Sequence, residues 1–527
     1  MKLLCAVCVS LAVIGNVGNV ASDPVDLFAD ARLAPQDVRM YVHIEDVQRL
    51  RANLERLPIS KWAEALLTGG QFLQAWSHLA QLAGVNSSGL LDILMGDDLT
   101  FMVRNSGSEI QWVILTAVDD AKSERLLKRL KPRVHKARRG LSMYFLPEFK
   151  LLIARSEGGL MVICPRERPQ LFYDVLKRLE DDRREKLSSL AESRAVTKFA
   201  HQLGGGQAGL YIKHDEPLGG WSVATLKFEG LKLHIQHHAN FAQDAFSRPI
   251  TKSEIDLSTL DKLKDHALMA FMEPNDIGVG MVEQFIQQTL GGEPFLNHGM
   301  RKCLGASRIF AIGETEGRLQ EERVDLQLPT AAIIFELKDV ETAEKLLDAR
   351  MLRLSRELNY KAQGKFTIDI PNRRDFISGE PRCLDLGPMM EFMGGGFPVM
   401  DNIDLCWQVV EAEKGSYYVI ATHNQLLMDT VLALESKNST PPCRGKWANA
   451  GFAQGILISN HLESVARQAN LFADPEDVEE FIATIQLISK LAFGMDNLTW
   501  KLKRPCRNQM YLEVDIDLTP PLSAKDQ

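Results

Sequence analysis

Three histidines in KLHIQHHANF, His234, His237 and His238, are the densest group of metal-competent side chains in the chain. Alternate residues of a strand share a face, so His234 and His238 are expected to point one way and His237 the other. Four residues at 3.3–3.4 Å each put the two same-face imidazoles about 13–14 Å apart, too far to ligate one ion together. A metal site would need ligands from a further element, and no His, Cys or carboxylate spacing elsewhere points to one. The histidines are therefore expected on the exposed face of a hairpin.

Two triple glycines, Gly204–Gly206 and Gly394–Gly396, bring backbone N–H groups together in the way anion cradles do. Neither belongs to a GxGxxG or GxxxxGK[ST] pattern between a strand and a helix, so loop flexibility is the expected reason for them. The second triplet sits in MMEFMGGGFPVM (389–400), whose Met and Phe residues suit either burial or a hydrophobic contact surface. A basic stretch, KSERLLKRLKPRVHKARR (122–139), carries nine Lys and Arg residues against Glu124. It reads as a solvated helix end and loop, with docking of an anionic polymer as the alternative. No HExxH motif, GxSxG elbow or flanked Cys–His pattern is present. Six cysteines follow residue 22: Cys164, Cys303, Cys383, Cys406, Cys443 and Cys506. They form no CxxC pair, which leaves disulfides or buried thiols. Cys164 stands alone in the first half on an apolar strand and is expected to remain unpaired.

The elements that would position such groups recur along the chain. VILTAVDDAKSERLLK (113–128) and IIFELKDVETAEKLLD (333–348) match without a gap at Asp119/Asp339, Glu124/Glu344 and Leu126-Leu127/Leu346-Leu347. Each reads as an apolar strand, a turn at an Asp suited to capping, and a helix with Leu on one face. Four further matches follow in the same order. They are 38–57 with 266–290, 158–180 with 415–435, 208–216 with 454–463, and 221–241 with 498–518. The last pair has the alternation of a hairpin, and aligning the closing strands sets the three histidines against Leu512, Asp515 and Ile516. The run 142–164 requires antiparallel pairing of adjacent strands.

The compartment is read from the first residues. Lys2, the apolar run Leu3 to Ile14, its interruption by Gly15, Asn16, Gly18 and Asn19, and the small residues Val20-Ala21-Ser22 form a secretory signal with cleavage expected before Asp23. No later apolar run reaches membrane length. A net charge of −8 and a pI of about 5.9 argue against nucleic acid as the main partner.

The signal, the LAPQDVRMYVHIEDV opening (33–47) and the duplicated strand–Asp–helix plan resemble a poorly characterised family of bacterial exported proteins, a domain of unknown function. The resemblance implies a cell-envelope or extracellular location and supplies no functional residues.

The expected fold class is α+β: two tandem related units, each a mainly antiparallel sheet covered by helices. The expected divisions are a signal peptide (1–22), an N-terminal segment (23–36), a first repeat unit (37–243), a linker (244–261), a second repeat unit (262–519) and a tail (520–527). No catalytic, cofactor-binding or metal-binding residue and no cofactor is assigned. The favoured function is a non-catalytic binding or structural protein, periplasmic or secreted, with a protein or polymer partner in the cell envelope. The alternative is an envelope-located hydrolase whose site assembles from distant residues.

Overall fold

The computed structural model describes residues 27–47, 98–180, 188–242, 253–277, 295–318, 325–387, 404–436, 443–468 and 492–518, with short gaps inside some spans and a few positions between 482 and 489. The signal region and the loop 389–400 lie outside the described residues. The chain divides into two compact units, residues 1–245 with 508–527, and residues 246–507. No described helix is long and apolar enough to cross a membrane.

In the first unit the strands are β1 (Met40–Ile44), β2 (Leu99–Ser106), β3 (Glu109–Ala117), β4 (Arg133–Arg138), β5 (Leu141–Leu146), β6 (Leu151–Ser156), β7 (Leu160–Pro165), β8 (Ala208–Lys213), β9 (Trp221–Glu229) and β10 (Lys232–Asn240), with the late strand β21 (Gln509–Leu518). They pair antiparallel throughout, in the order β21-β10-β9-β8-β1-β2-β3-β7-β6-β5-β4. Gly230, at φ 62°, turns β9 into β10 with a backbone conformation that side-chain-bearing residues resist. Two helices, α1 (Asp120–Leu130) and α2 (Gln170–Glu180), follow β3 and β7.

Both faces of this sheet are buried. In β6, Leu152 and Ala154 join one core with Leu171, Phe172, Val175 and Leu176 of α2, while Ile153 between them joins Leu127 of α1 on the other. The first core is completed by Leu27–Val38 and by the helical turns Leu190–Glu192 and Ala195–Phe199.

The second unit holds β11 (Ile255–Asp256), β12 (Met269–Pro274), β13 (Leu304–Arg318), β14 (Asp325–Leu337), β15 (Arg382–Asp385), β16 (Asp404–Ala412), β17 (Gly415–Ala421), β18 (Arg444–Gly445), β19 (Asn449–Gln454) and β20 (Met495–Cys506). Its described helices include α3 (Ser258–Leu263), α4 (His298–Cys303), α5 (Val340–Ala362), α6 (Asn424–Glu435) and α7 (Gly455–Gln468). The main ladder runs β20-β19-β12-β13-β14-β17-β16-β15, again antiparallel, and β11 pairs with β18. Position by position, this is the chain order of β9-β8-β1-β2-β3-β7-β6-β5 in the first unit. The helix α1 follows β3 as α5 follows β14, and α2 follows β7 as α6 follows β17. Asp339 caps α5 by accepting from Thr342 N at 3.1 Å, and hydrogen bonding from the Thr342 side chain, then from its backbone N–H, holds the carboxyl below the usual range.

The expected α+β class of two helix-covered units is corrected by this architecture. Among the described residues the chain is predominantly antiparallel β, 44% strand against 31% helix. The excess lies in the meander β4–β7 and in the long hairpin of β13 and β14, 15 and 13 residues. A second correction concerns residues 454–463, matched in sequence to the strand segment 208–216. Residues 455–468 are helix α7, and the ladder position of β8 is filled by β19, just before it. In the first unit, 221–241 is a hairpin as expected. The strands of 498–518 belong to different units: β20 pairs with β19, and β21 pairs with β10.

Candidate ligand cleft

Helix α2 is seated by Leu171, Phe172, Val175 and Leu176, all fully buried. That leaves Asp174, Lys177 and Arg178, at three- and four-residue spacing, on an adjoining face. On strand β8, Tyr211 and Lys213 share a face by alternation. These residues, with Pro35, Gln36, Asp37, Arg104, Ser188 and Ser193, line a cleft of about 660 Å³ within the first unit. That volume falls in the range of small-ligand sites, about 300–1,000 Å³.

Arg104 of β2 anchors the floor and is 8% exposed. Gln111, its ladder partner on β3, accepts from Nε at 3.2 Å and Nη2 at 2.9 Å, and also from Leu171 N at the start of α2. The remaining nitrogen, Nη1, donates to Asp174 Oδ2 at 2.7 Å and lies 3.5 Å from Asp37. A buried guanidinium needs this degree of compensation. Arg178 donates to two carbonyls, Asp174 O at 3.1 Å and Ser188 O at 3.0 Å, and its buried Nε has no partner. Burial draws Arg178 below its ordinary value, with the Arg104 charge adding to that and Asp174 and Asp37 opposing it. Burial likewise raises Tyr211. The lining therefore holds four cations, Arg104, Lys177, Arg178 and Lys213, against two carboxylates, Asp37 and Asp174.

None of these residues stands out in the sequence. The pattern of α2 is that of any amphipathic surface helix, and Arg104 and Asp174 are 70 residues apart.

The histidine group behaves differently from its expected exposure. His234 lies beside Asp515, its register partner on β21, and is part-exposed. His238 is buried, with ring centroids 4.2 Å from Phe199, 5.9 Å from Trp221 and 6.3 Å from Tyr511, and its Nε2 has no partner. Burial, and then the His237 charge, lower its pKa to about 4. His237 is lowered by burial and by His214, whose Nε2 meets Ser222 Oγ at 2.6 Å. The three histidines thus divide among a hydrogen bond to Asp515, an aromatic box and an imidazole neighbour, and do not converge. Among the described residues no group of three or more His, Cys, Asp or Glu is placed to hold a metal ion.

A further polar trio, His43, Thr100 and Asp30, resembles a catalytic relay in composition only. Thr100 Oγ1 donates to Asp30 Oδ2 at 3.0 Å and meets His43 Nδ1 at 2.9 Å. Its single proton is directed at the carboxylate, so His43 donates to the hydroxyl and does not activate it. In the second unit, Asp348 of α5 accepts from both sides: Arg382 Nη1 at 2.8 and 2.9 Å, Trp407 Nε1 at 3.0 Å and Tyr418 Oη at 2.9 Å. Burial pushes its carboxyl up, against the pull of Arg382, Tyr418 and Trp407. This group ties α5 to β15, β16 and β17 inside the core.

The other sequence candidates resolve as structure. Gly206 lies where a Cβ would come 2.4 Å from the Leu226 carbonyl oxygen, a close backbone approach and not an anion cradle. The basic stretch is α1 followed by strand β4, with Lys128 paired to Glu124 at 2.8 Å, in place of the helix end and loop expected. Cys383 and Cys406 form a cross-strand disulfide between β15 and β16. Cys164 is a buried free thiol that burial pushes upward, and Cys303, Cys443 and Cys506 stand outside the bridge.

No family model matches the chain. No curated protein matches it. Among solved structures, one match is crystal form I of TP0453, at 12% identity, covering 42% of this chain and 81% of that one, with a TM-score of 0.24. At that score the likeness carries no conclusion about fold or function.

Proposed function

We propose that the chain is an exported, non-catalytic binding protein whose small ligand docks in the cleft of the first unit. The observation that carries this reading is the cleft's construction. Its floor charge, Arg104, is oriented by Gln111 and Asp174 before any ligand arrives, while the wall facing it offers donors from β8 and α2. Preorganised polar groups in a concave site of this size favour recognition, because their ordering cost is met on folding and not on binding.

The test uses Gln36→Trp, an exposed rim position where an indole fills the cleft without entering the core. The secreted chain is screened by isothermal calorimetry against soluble cell-envelope components: sugar phosphates, uronic acids, neutral and amino sugars, and short peptides. A compound that binds the wild type one to one and loses about tenfold or more in affinity in Gln36→Trp, on the order of 1.4 kcal/mol, supports the reading. Binding that survives the substitution places the site elsewhere and overturns it.

A further inference from the structure

Building on that docking reading, we propose that the cleft recognises an oxyanion, a phosphate or carboxylate group carried on a small polar ligand. Both lining carboxylates lie against Arg104, at 2.7 Å for Asp174 and 3.5 Å for Asp37. Neither forms a side-chain hydrogen bond to Arg178, whose guanidinium is held by backbone carbonyls alone. Four cations against two carboxylates leave the lining with two more positive than negative charges. The partly desolvated walls strengthen the resulting field relative to bulk water.

Two donors are open to a ligand. Lys213 is exposed, lines the cleft and has no partner for its ammonium among the described residues. Tyr211, two residues earlier on the same face, is 5% exposed, and its hydroxyl has no hydrogen-bond partner among the described residues. The hydroxyl reaches the cleft, where a ligand oxygen can take the place of the water it would otherwise bind. At two residues' separation the side chains leave the strand about 7 Å apart, a spacing from which a hydroxyl and an ammonium can close on one group. A neutral ligand would satisfy Tyr211 but leave the excess charge uncompensated. A cation would meet the same excess as repulsion.

Glucose 6-phosphate, glucuronate and glucose serve as phosphate, carboxylate and neutral probes on one ring, titrated by calorimetry into the full secreted chain at low salt. Binding of one or both anions is expected, with glucose at least about tenfold weaker. Preference for one anion identifies the group. Lys213→Gln should weaken the anion about fivefold or more, the equivalent of one charge-assisted hydrogen bond. Tyr211→Phe should weaken it less, and both variants keep the fold because neither removes an internal hydrogen bond. Affinity should fall as salt rises. Glucose binding as tightly as the anions, no anion binding at 10 mM, or an unchanged affinity in Lys213→Gln overturns the oxyanion assignment. A neutral ligand that Gln36→Trp displaces would leave the cleft as the docking site while overturning the oxyanion. If Gln36→Trp displaces no compound, both proposals fail.

Discussion

Replacing His238 by phenylalanine tests whether a buried imidazole makes the first unit acid-sensitive. The folded ring takes up a proton only near pH 4, whereas an unfolded histidine does so near 6.5. Between those values the unfolded chain binds more protons. The His238 contribution is therefore complete above pH 6.5 and is lost as pH falls toward 4. A shift of about 2.5 units corresponds to roughly 3 kcal/mol at full protonation, and about 2–3 kcal/mol at pH 4.5. The surroundings explain the direction. Phe199, Trp221 and Tyr511 wall the ring, Tyr511 gives its proton to Glu513, and Lys198 sits over Phe199 at 5.5 Å from its centroid. No described carboxylate bonds to the imidazole, and its Nε2 has no partner among the described residues. Phenylalanine preserves the ring and removes the titration. Hydrogen exchange of peptides spanning 221–240, read at pH 7, 6, 5 and 4.5 after correction for intrinsic rates, reports the opening free energy of β9 and β10. His238→Phe should retain about 2 kcal/mol more of its pH 7 stability at pH 4.5 than the wild type does. A residual slope will remain, because His214 and His237 are also lowered by burial. Equal losses in the two proteins, or stability that rises on acidification, would refute the reasoning. His238→Ala should instead destabilise the unit at every pH, by about 2–4 kcal/mol, because it opens a cavity in the aromatic box. The exposed hairpin face expected from sequence would have left such a variant nearly unchanged.

Asp348→Leu should cost the second unit about 3–5 kcal/mol, since it removes the shared acceptor of Arg382, Trp407 and Tyr418 and leaves Arg382 with Glu344 as its one carboxylate. Adding Arg382→Met should recover part of that loss, limited by the loss of the Glu344 pair. Urea unfolding of the two variants checks this, and equal destabilisation by the single and double substitutions would show that the ion pair is not the source. Peptide mapping without reductant should return one bridge among the described cysteines, Cys383 to Cys406, with Cys164 as a thiol; a bridge to Cys164 would contradict its burial.

Local chemistry was legible in the sequence wherever a single segment determines its own conformation. Asp339 reads as a cap because a carboxylate three residues before an unpaired N–H has one obvious partner, and Thr342 N is where the bond forms. The run 142–164 reads as consecutive antiparallel strands because its short turns allow nothing else, and β5, β6 and β7 pair in that way. Alternation also separated His237 from His234 and His238. Periodicity failed where two conformations share one pattern: GILISNHLE carries apolar residues that suit a strand or a helix face, and the preceding NAGFAQ already fills the strand position beside β12.

What the sequence alone determined were elements whose partners lie within a few residues. Only the tertiary structure decided which faces are covered, that His238 is buried, and that a cleft exists. The class shifted from α+β toward antiparallel β because strand content depends on ladder partners far along the chain, as when β21 pairs with β10 more than 250 residues earlier. The cleft is the extreme case. Arg104, Asp174 and Lys213 come from two strands and a helix, and each is ordinary in its own segment. Their chemistry arises from the field they share, and that field exists only once the sheet order brings β8, β1 and β2 side by side next to β3, on which α2 packs.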